Sequence, residues 1–288
     1  MASTEALDVS LIDAEQFEAV WPLSIEAGWN QNLADWQFML GAGRAFGCRG
    51  PNGQWQASSL VLPLGRNLAW ISMVLVTKER RRGGVGTGLL KRCIDEVRSA
   101  GAVAGLDATE QGRPIYLPLG FHDLYAISRW HFDQARDAVA PPPGIVLRPA
   151  GLADLQRLAL YDRPLTGMER PSILAHLALR QPGRAWLAED AAGRIVGFVL
   201  GREGRTATSL GPVVADKEAI ALALIAKAAA AAAGPFIIDV PVAHRTVRAW
   251  LEAQGATTPR GYVRMTLGEA KGLDDPAHVF ALAGPELG

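Results

Sequence analysis

The stretch LAWISMVLVTKERRRGGVGTGLLKRCIDEVRSA, residues 68–100, decides the fold of this chain. It opens with residues 68–76, which are apolar except for Ser72, a pattern typical of a strand buried on both faces. A basic turn and closely spaced glycines follow at 78–88. The next residues have helical spacing, and their apolar face is formed by Val85, Leu89, Leu90, Cys93, Ile94 and Val97. The stretch therefore predicts a strand, a glycine-lined turn and a helix.

A strand that leads through glycines into a helix favours phosphate binding. The first N–H groups of a helix have no partner within the helix, and the helix dipole gives that end partial positive charge. Glycines leave those amides accessible, and neighbouring arginines can pair with phosphate. The stretch is not the GxxxxGK[ST] loop. It also does not give GxGxxG in the chain's first unit with an acidic residue about twenty positions on, so a dinucleotide fold is disfavoured.

The turn carries a more specific motif. Residues 81–86 read Arg-x-x-Gly-x-Gly directly after the apolar strand, which resembles motif A of the GNAT N-acetyltransferase superfamily. In that family the motif holds the pyrophosphate of acetyl-CoA. Residues 106–109 followed by Tyr-x-x-x-Gly-Phe at 116–121 resemble the family's motif B. The two motifs in this order predict a GNAT fold.

The resemblance implies where acetyl-CoA, the co-substrate, would bind. Backbone groups of the strand would pair with the pantetheine arm, and amides of the turn would hold the pyrophosphate. The residues so implied are Met73, Val74, Leu75, Val76, Arg81, Arg82, Gly83, Gly84, Val85, Gly86, Thr87 and Gly88.

The resemblance also implies residues for the acceptor substrate and for catalysis. Trp29, Asn30 and Trp36 precede the central strands and are candidates for substrate contact, although both tryptophans could equally be packing aromatics. Tyr116 matches the tyrosine whose hydroxyl acts as general acid toward the CoA thiolate; the alternative is a packing aromatic.

The general base is left open by the sequence. The strand 68–76 contains no carboxylate, so the amine would lose its proton to ordered water, to Asp107 or to Glu110. Asp107 has an equivalent, Asp239, in the second half of the chain, which favours a structural role for it.

The second half repeats the first at an offset of about 130–140 residues. Residues 210–215 correspond to 71–76, and residues 237–241 to 105–109. The glycine corner is missing there, because Asp216, Lys217 and Glu218 follow the strand and would repel or block a pyrophosphate. We therefore predict an α+β protein of two tandem GNAT-like domains, each a mixed, mostly antiparallel sheet flanked by helices, with a degenerate second copy.

The prolines at 141–143 mark a stiff linker between the two copies. The predicted organisation is a catalytic domain at 1–138, a Pro-rich linker at 139–144, a degenerate GNAT-like domain at 145–270 and a C-terminal tail at 271–288.

Composition limits the partners and cofactors. The formal net charge is zero, so we expect no bulk attraction to nucleic acid or to a membrane. The five histidines and two cysteines lack ligand spacing, so no metal site is expected. The first thirty residues show no signal peptide, which predicts a cytoplasmic protein, either a monomer or a homodimer.

The preferred hypothesis is an acetyl-CoA-dependent N-acetyltransferase that transfers acetyl directly to a primary amine of a small molecule. A protein or peptide amine is an open alternative for the acceptor. A rival class is a non-catalytic sensor that binds acyl-CoA, suggested by the missing carboxylate. A nucleotide-binding scaffold is a third reading, motivated by the glycine turn alone.

Overall fold

The structure is a computed structural model that describes residues 7–231, 234–269 and 273–288. The chain divides into two compact units, Met1–Leu106 and Asp107–Gly288. Residues 1–6 of the predicted first domain lie outside the described residues. The same holds for residues 270–272, where the second domain was predicted to end and the tail to begin.

The first unit combines a five-stranded sheet with short helices. Its strands are β1 (Ser10–Ile12), β2 (Arg44–Arg49), β3 (Trp55–Pro63), β4 (Leu68–Val76) and β5 (Val103–Ala108), the last two residues of which belong to the second unit. Its helices are α1 (Phe17–Val20), α2 (Pro22–Glu26), α3 (Leu33–Ala42) and α4 (Val85–Ser99).

The strands β2, β3 and β4 form an antiparallel meander, β1 pairs antiparallel with β2, and β5 lies parallel to β4. A parallel neighbour requires a crossover, which α4 supplies. The helical face predicted from residues 85–97 is confirmed, because all six of its apolar side chains are buried. Burial of that face against β3 and β4 fixes where α4 begins, directly after the glycines.

The second unit is also a mixed sheet flanked by helices. Its helices are α5 (Arg113–Tyr116), α6 (Leu155–Thr166), α7 (Pro171–Arg180), α8 (Glu218–Ala230) and α9 (Arg245–Ala253). Its strands are β6 (His122–Phe132), β7 (Val146–Pro149), β8 (Trp186–Glu189), β9 (Ile195–Glu203), β10 (Thr208–Ala215), β11 (Phe236–Pro241), β12 (Thr257–Leu267) and β13 (Val279–Ala281).

The strand β6 explains why the compact units do not divide at the proline linker. It falls within the first domain predicted at 1–138, but it lies between β11 and β12 and is antiparallel to both. The order in the second unit is β12-β6-β11-β10-β9-β8-β7, and β13 pairs with β10. The boundary predicted at residue 138 therefore differs from the boundary between the compact units, because pairing of distant strands outweighs the linker signal.

The segment after residue 272 is part of the core of the second unit rather than a tail beyond it. The strand β13 pairs with β10, and the side chains of Val279, Phe280, Ala281 and Leu282 are buried. Residues 271–272 of the predicted tail lie outside the described residues. The apolar side chains of this segment stabilise the fold by their burial.

Two global properties bear on function. In the described ranges, no helix has the length and apolarity needed to cross a membrane. Both cysteines, Cys48 and Cys93, are free and buried, and burial raises the pKa of the Cys93 thiol to about 12. Cys93 is therefore an inert core side chain at neutral pH.

Candidate cofactor site and candidate catalytic residues

The edge of β4 is open along its second half. β4 pairs with β5 at Leu68, Ala69 and Trp70, and the register between the two strands ends there. On its other side β4 continues to pair with β3 as far as Val76. The backbone groups of β4 beyond Trp70 therefore face a gap on the side toward β5, which could accept an added strand.

A bulge in β4 marks the start of this open edge. The register with β3 shifts between Ser58 and Leu60, and Met73 has a φ of 52°. Positive φ is disfavoured for a residue with a side chain, and the extra residue of a bulge locally disrupts the ladder. The Ser58 hydroxyl donates to the Met73 carbonyl at 2.8 Å. This hydrogen bond compensates for part of the lost strand pairing. The four strand residues predicted to bind the cofactor, Met73 to Val76, all lie on the open edge.

The glycine corner forms the predicted helix start. Gly84 is the N-cap of α4 with a φ of 76°, a conformation that glycine adopts without steric cost. The helix backbone bonds begin with Gly88 N donating to Gly84 O at 2.9 Å. The amides of Val85, Gly86 and Thr87 therefore form the open positive end of α4.

The turn before the corner is held by specific contacts. The carboxylate of Glu26 accepts from the Lys78 amide at 2.7 Å, and the Gln56 carbonyl accepts from the Thr77 amide at 2.9 Å. The Arg81 guanidinium donates through Nε to the Val76 carbonyl at 3.1 Å. This contact leaves the outer nitrogens of Arg81 available beside the end of β4, and Arg82 is exposed.

The corner fits an anion on steric grounds. A Cβ placed on Gly84 would meet nothing within 4 Å, and one placed on Gly86 would first meet the Val76 side chain at 3.4 Å. Both glycines thus leave open space that a larger side chain would fill. Gly88 differs, because a Cβ there would collide with the Leu7 side chain at 2.7 Å, so its role is close packing.

The three candidates for substrate contact differ in accessibility. Trp36 is fully buried and its indole Nε1 donates to the Ser24 hydroxyl at 2.9 Å, so it is a core residue and the prediction of substrate contact is wrong for it. Asn30 is also buried, with 5% of its surface exposed. Trp29 is half-buried and stays a prediction.

Tyr116 ends the short helix α5 and is half-buried. Its ring packs against Phe121 with a centroid distance of 6.1 Å. In the described part of the chain its hydroxyl has no hydrogen-bond partner, and burial raises the pKa of Tyr116 to about 12. The hydroxyl is therefore protonated at neutral pH and able to donate, which suits the predicted acid role.

Asp107 is occupied by an ion pair. Its carboxylate accepts from Arg264 Nε at 2.9 Å and from Arg264 Nη2 at 2.8 Å, and both side chains are fully buried. A carboxylate locked in fork geometry cannot approach an amine without breaking a buried charge pair. The prediction of Asp107 as a catalytic base is corrected, and the structural alternative holds.

Glu110 has the opposite environment. It is exposed, and no hydrogen bond or ion pair of its carboxylate occurs among the described residues. Of the two carboxylates considered as base, Glu110 is the one that is free to move. Its role as base stays a prediction.

The second repeat replaces the anion site with internal contacts. The Glu218 carboxylate accepts from the amides of Thr246 and Val247, at 3.0 and 3.2 Å, and so occupies the open end of α9. The Asp216 carboxylate accepts from the Tyr161 hydroxyl at 2.7 Å. Trp250, which stands where the repeat has Tyr116, packs edge-on against Phe132. Protein side chains thus contact all three of these positions of the second repeat.

Among the described residues, no cluster of three or more His, Cys, Asp or Glu side chains could hold a metal ion.

Sequence reasoning missed two features of the site. The positive φ of Met73 has no sequence signal, because methionine is not a residue that favours it. The partner of Asp107 did leave a signal, since Arg129 and Arg264 recur in the last strands of the two repeats.

Comparisons with known proteins agree with this architecture. A family model described as an acetyltransferase (GNAT) domain matches residues 158–281, which lie in the second unit. A Bacillus subtilis protein named Uncharacterized N-acetyltransferase YitH is 26% identical over 225 residues, which are 77% of this chain and 78% of that protein.

Solved structures show the same fold over the whole chain. A putative acetyltransferase from Pyrococcus horikoshii has a TM-score of 0.77 at 18% identity, covering 100% of this chain and 99% of that one. A tandem GNAT protein from the clavulanic acid biosynthesis pathway has a TM-score of 0.63 at 15% identity, covering 91% of this chain and 100% of that one.

The first repeat contains the open glycine corner, and the second repeat carries the family match. The two repeats are copies of one fold. Residues 158–281 thus match a GNAT acetyltransferase domain, and the chain is similar to an N-acetyltransferase over most of its length and shares the fold of a tandem GNAT protein.

Proposed function

We propose that this protein is an acetyl-CoA-dependent N-acetyltransferase that moves an acetyl group to a primary amine of a small molecule. The observation that carries the proposal is the open edge of β4, which runs from Ile71 to Val76 and is followed by the glycine corner and the helix start at Gly84. The match of residues 158–281 to a GNAT acetyltransferase domain and the similarity to an N-acetyltransferase support the reaction class.

The open edge and the corner suit the two ends of acetyl-CoA. The pantetheine arm is extended and carries amides, so it can pair with backbone groups of Met73 to Val76 as an added strand would. The pyrophosphate carries the negative charge that the open amides of α4 attract, and Arg81 and Arg82 add charge beside it. When bound, the co-substrate supplies the thioester.

The transfer requires one proton donor and one proton acceptor. The amine nitrogen forms a bond to the acetyl carbonyl carbon while the bond from that carbon to sulfur breaks. We assign the proton that reaches the leaving sulfur to the Tyr116 hydroxyl, on the match of its motif and its free, protonated state. The proton lost by the amine goes to Glu110 directly or through ordered water.

Release of free thiol tests this proposal. The full chain is mixed with acetyl-CoA and a panel of small primary amines, and the thiol is followed with a chromogenic disulfide. We expect release that depends on at least one amine, with the acetylated amine identified by mass spectrometry. Absence of turnover on every amine would overturn the transferase assignment.

A second function is favoured by one observation. Asp107 is tied to Arg264, so the fold does not supply the base that this position could have offered. A protein that binds acyl-CoA without transferring the acyl group would need no base. Calorimetric binding of acetyl-CoA without turnover on any amine would support this sensor. Equal affinity for ADP and CoA would instead show that pantetheine contributes nothing to binding.

A further inference from the structure

The two repeats differ in how the edges of the corresponding strands β4 and β10 are paired. In the first unit β4 pairs with β5 only as far as Trp70. In the second unit β10 pairs with β11 in parallel at Thr208 and Ser209, and the pairing likewise ends there. The edge of β10 that follows is covered by β13, which pairs with Val213 and Val214. In the second repeat, β13 thus fills the gap beside β10, whereas the corresponding gap beside β4 in the first repeat stays open.

The inserted segment is bonded to both sides of this gap. Toward β10, the Ala215 amide donates to the His278 carbonyl at 3.0 Å, and His278 Nδ1 donates back to the Ala215 carbonyl at 3.0 Å. Toward β11, the Leu282 amide donates to the Asp239 carbonyl at 3.0 Å. Gly211 makes room for the segment, because a Cβ there would collide with the Leu282 carbonyl oxygen. This is the geometry of a bound strand.

Side chains of the second unit recognise polar groups farther along the segment. The Glu286 carboxylate pairs with Arg202, and both side chains are buried. Arg170 donates through Nη1 to the Gly288 carbonyl oxygen at 2.9 Å. Asp162 holds Arg170 in place with contacts of 2.8 and 2.9 Å. Buried charge-assisted contacts of this kind fix register as well as affinity.

Apolar contacts complete the recognition. The Phe280 ring stacks on the His244 imidazole with a centroid distance of 4.2 Å, and His244 Nε2 lies 2.8 Å from the Val279 carbonyl oxygen. Phe280 and Ala281 belong to the main apolar cluster of the second unit. Along the segment, the contacts are therefore main-chain hydrogen bonds to β10 and β11, an apolar side chain at Phe280 and a carboxylate at Glu286.

We propose that the second unit is a peptide-binding module whose gap between β10 and β11 binds an extended segment, and that residues 276–288 are its resident ligand. The ligand class is a strand with small or aromatic apolar residues followed by a carboxylate that meets Arg202. The degenerate repeat has thus become a receptor for a peptide. This inference concerns the second unit alone and does not rest on the proposed acetyl transfer.

The test weakens the resident segment in the full chain and then supplies the segment as a separate peptide. Glu286→Gln removes the charge that faces Arg202, and Leu282→Pro removes the amide that donates to Asp239. Both changes leave the groove residues unaltered. Hydrogen–deuterium exchange at the Ala215 amide reports occupancy, because that amide is bonded to the segment. We expect exchange to rise at least about tenfold in each variant, since a charged hydrogen bond is lost in one and a ladder bond in the other.

Addition of a synthetic peptide of residues 276–288 should restore the slow exchange at Ala215 in both variants. The same peptide carrying Glu286→Gln and Leu282→Pro is the matched ligand control and should not restore it. Glu252→Lys, on the exposed side of α9, is the protein control and should leave exchange unchanged. Circular dichroism establishes that the variants are folded.

Two results would overturn the proposal. One is unchanged exchange at Ala215 in both folded variants, which would show that the segment does not cover the edge. The other is raised exchange that the native peptide fails to slow, which would show that the groove does not bind a strand supplied in trans.

Discussion

Asp107 and Arg264, 157 positions apart in the chain, form a fully buried bidentate ion pair with contacts of 2.9 and 2.8 Å. The aspartate comes from the first repeat and the arginine from the last strand of the second. The pair therefore joins the two repeats inside one compact unit. It also decides the role of Asp107, because a carboxylate with this partner serves the fold.

The same relationship occurs a second time with the repeats exchanged. Asp239 of the second repeat pairs with Arg129 of the first through two contacts of 2.7 Å. The Arg129 guanidinium lies 5.0 Å from the ring centroid of Tyr262, and that of Arg264 lies 5.7 Å from the Tyr125 ring. Each repeat thus supplies the arginine for the aspartate of the other, which is the pattern that a pseudo-two-fold axis produces.

Asp239→Ala should destabilise the protein strongly. It leaves the buried Arg129 charge without its carboxylate, and removal of one partner of a buried pair costs about 3–5 kcal/mol. Unfolding in urea measures the change. Asp123→Ala, which breaks the exposed pair with Arg113, is the control and should change the midpoint far less. Equal midpoint shifts for the two variants would contradict this assignment.

Asp107→Asn and Glu110→Gln should separate the structural carboxylate from the candidate base. We expect Asp107→Asn to lower the free energy of unfolding while kcat per folded molecule stays near that of the wild type. Glu110→Gln should leave stability unchanged and lower kcat about 10²-fold or more. An unchanged kcat in Glu110→Gln would leave ordered water as the proton acceptor.

Gly86→Asp should abolish binding of CoA. The new carboxylate would stand at the open end of α4, where it repels the pyrophosphate and fills its space. Gly41→Asp is the matched control, because Gly41 is an exposed helical glycine of the same unit with nothing within 4 Å of a Cβ. Calorimetry with CoA measures both, and retained affinity in Gly86→Asp would remove the corner from the site.

Tyr116→Phe should lower kcat by about 10²-fold while the Kd for CoA stays unchanged. Tyr161→Phe, in the second repeat, is the matched control. Burial raises the pKa of Tyr116 to about 12, so its proton stays bound above the usual tyrosine value. The wild-type kcat should therefore show no fall from this group between about pH 8 and 10. A descending limb in that range that vanishes in Tyr116→Phe would contradict the shifted pKa.

Calorimetric titration should find one CoA per chain. The second repeat offers Asp216 and Glu218 in place of the glycine corner, and β13 covers the edge of β10. Gly86→Asp should reduce the stoichiometry to none. Two equivalents in the wild type would show that the second repeat still accepts the co-substrate.

Local pattern was sufficient for the central elements. The apolar run at 68–76 and the helical spacing after Gly84 predicted β4 and the buried face of α4 correctly, because both depend on side chains that are close in sequence. Tyr116 was assigned from its resemblance to motif B and Glu110 from its place at the end of the next strand, and both roles stay predictions.

The remaining features depend on contacts between distant residues. The position of β6 between β11 and β12 follows from pairing across more than a hundred residues, which a linker signal at 141–143 does not reveal. The strand β13 is too short to give a period, and its burial comes from β10. Trp36 looked available for a ligand because sequence does not tell an aromatic at a surface from one in a core.

The reciprocal ion pairs have a consequence for any attempt to produce the halves separately. A cut at the proline segment would place Asp107 and Arg129 on one fragment and their partners Arg264 and Asp239 on the other, and only Arg264 would keep a second carboxylate, Asp274, on its own fragment. We therefore expect each half to fold less stably alone than when both are produced together, as for two subunits that have been fused into one polypeptide.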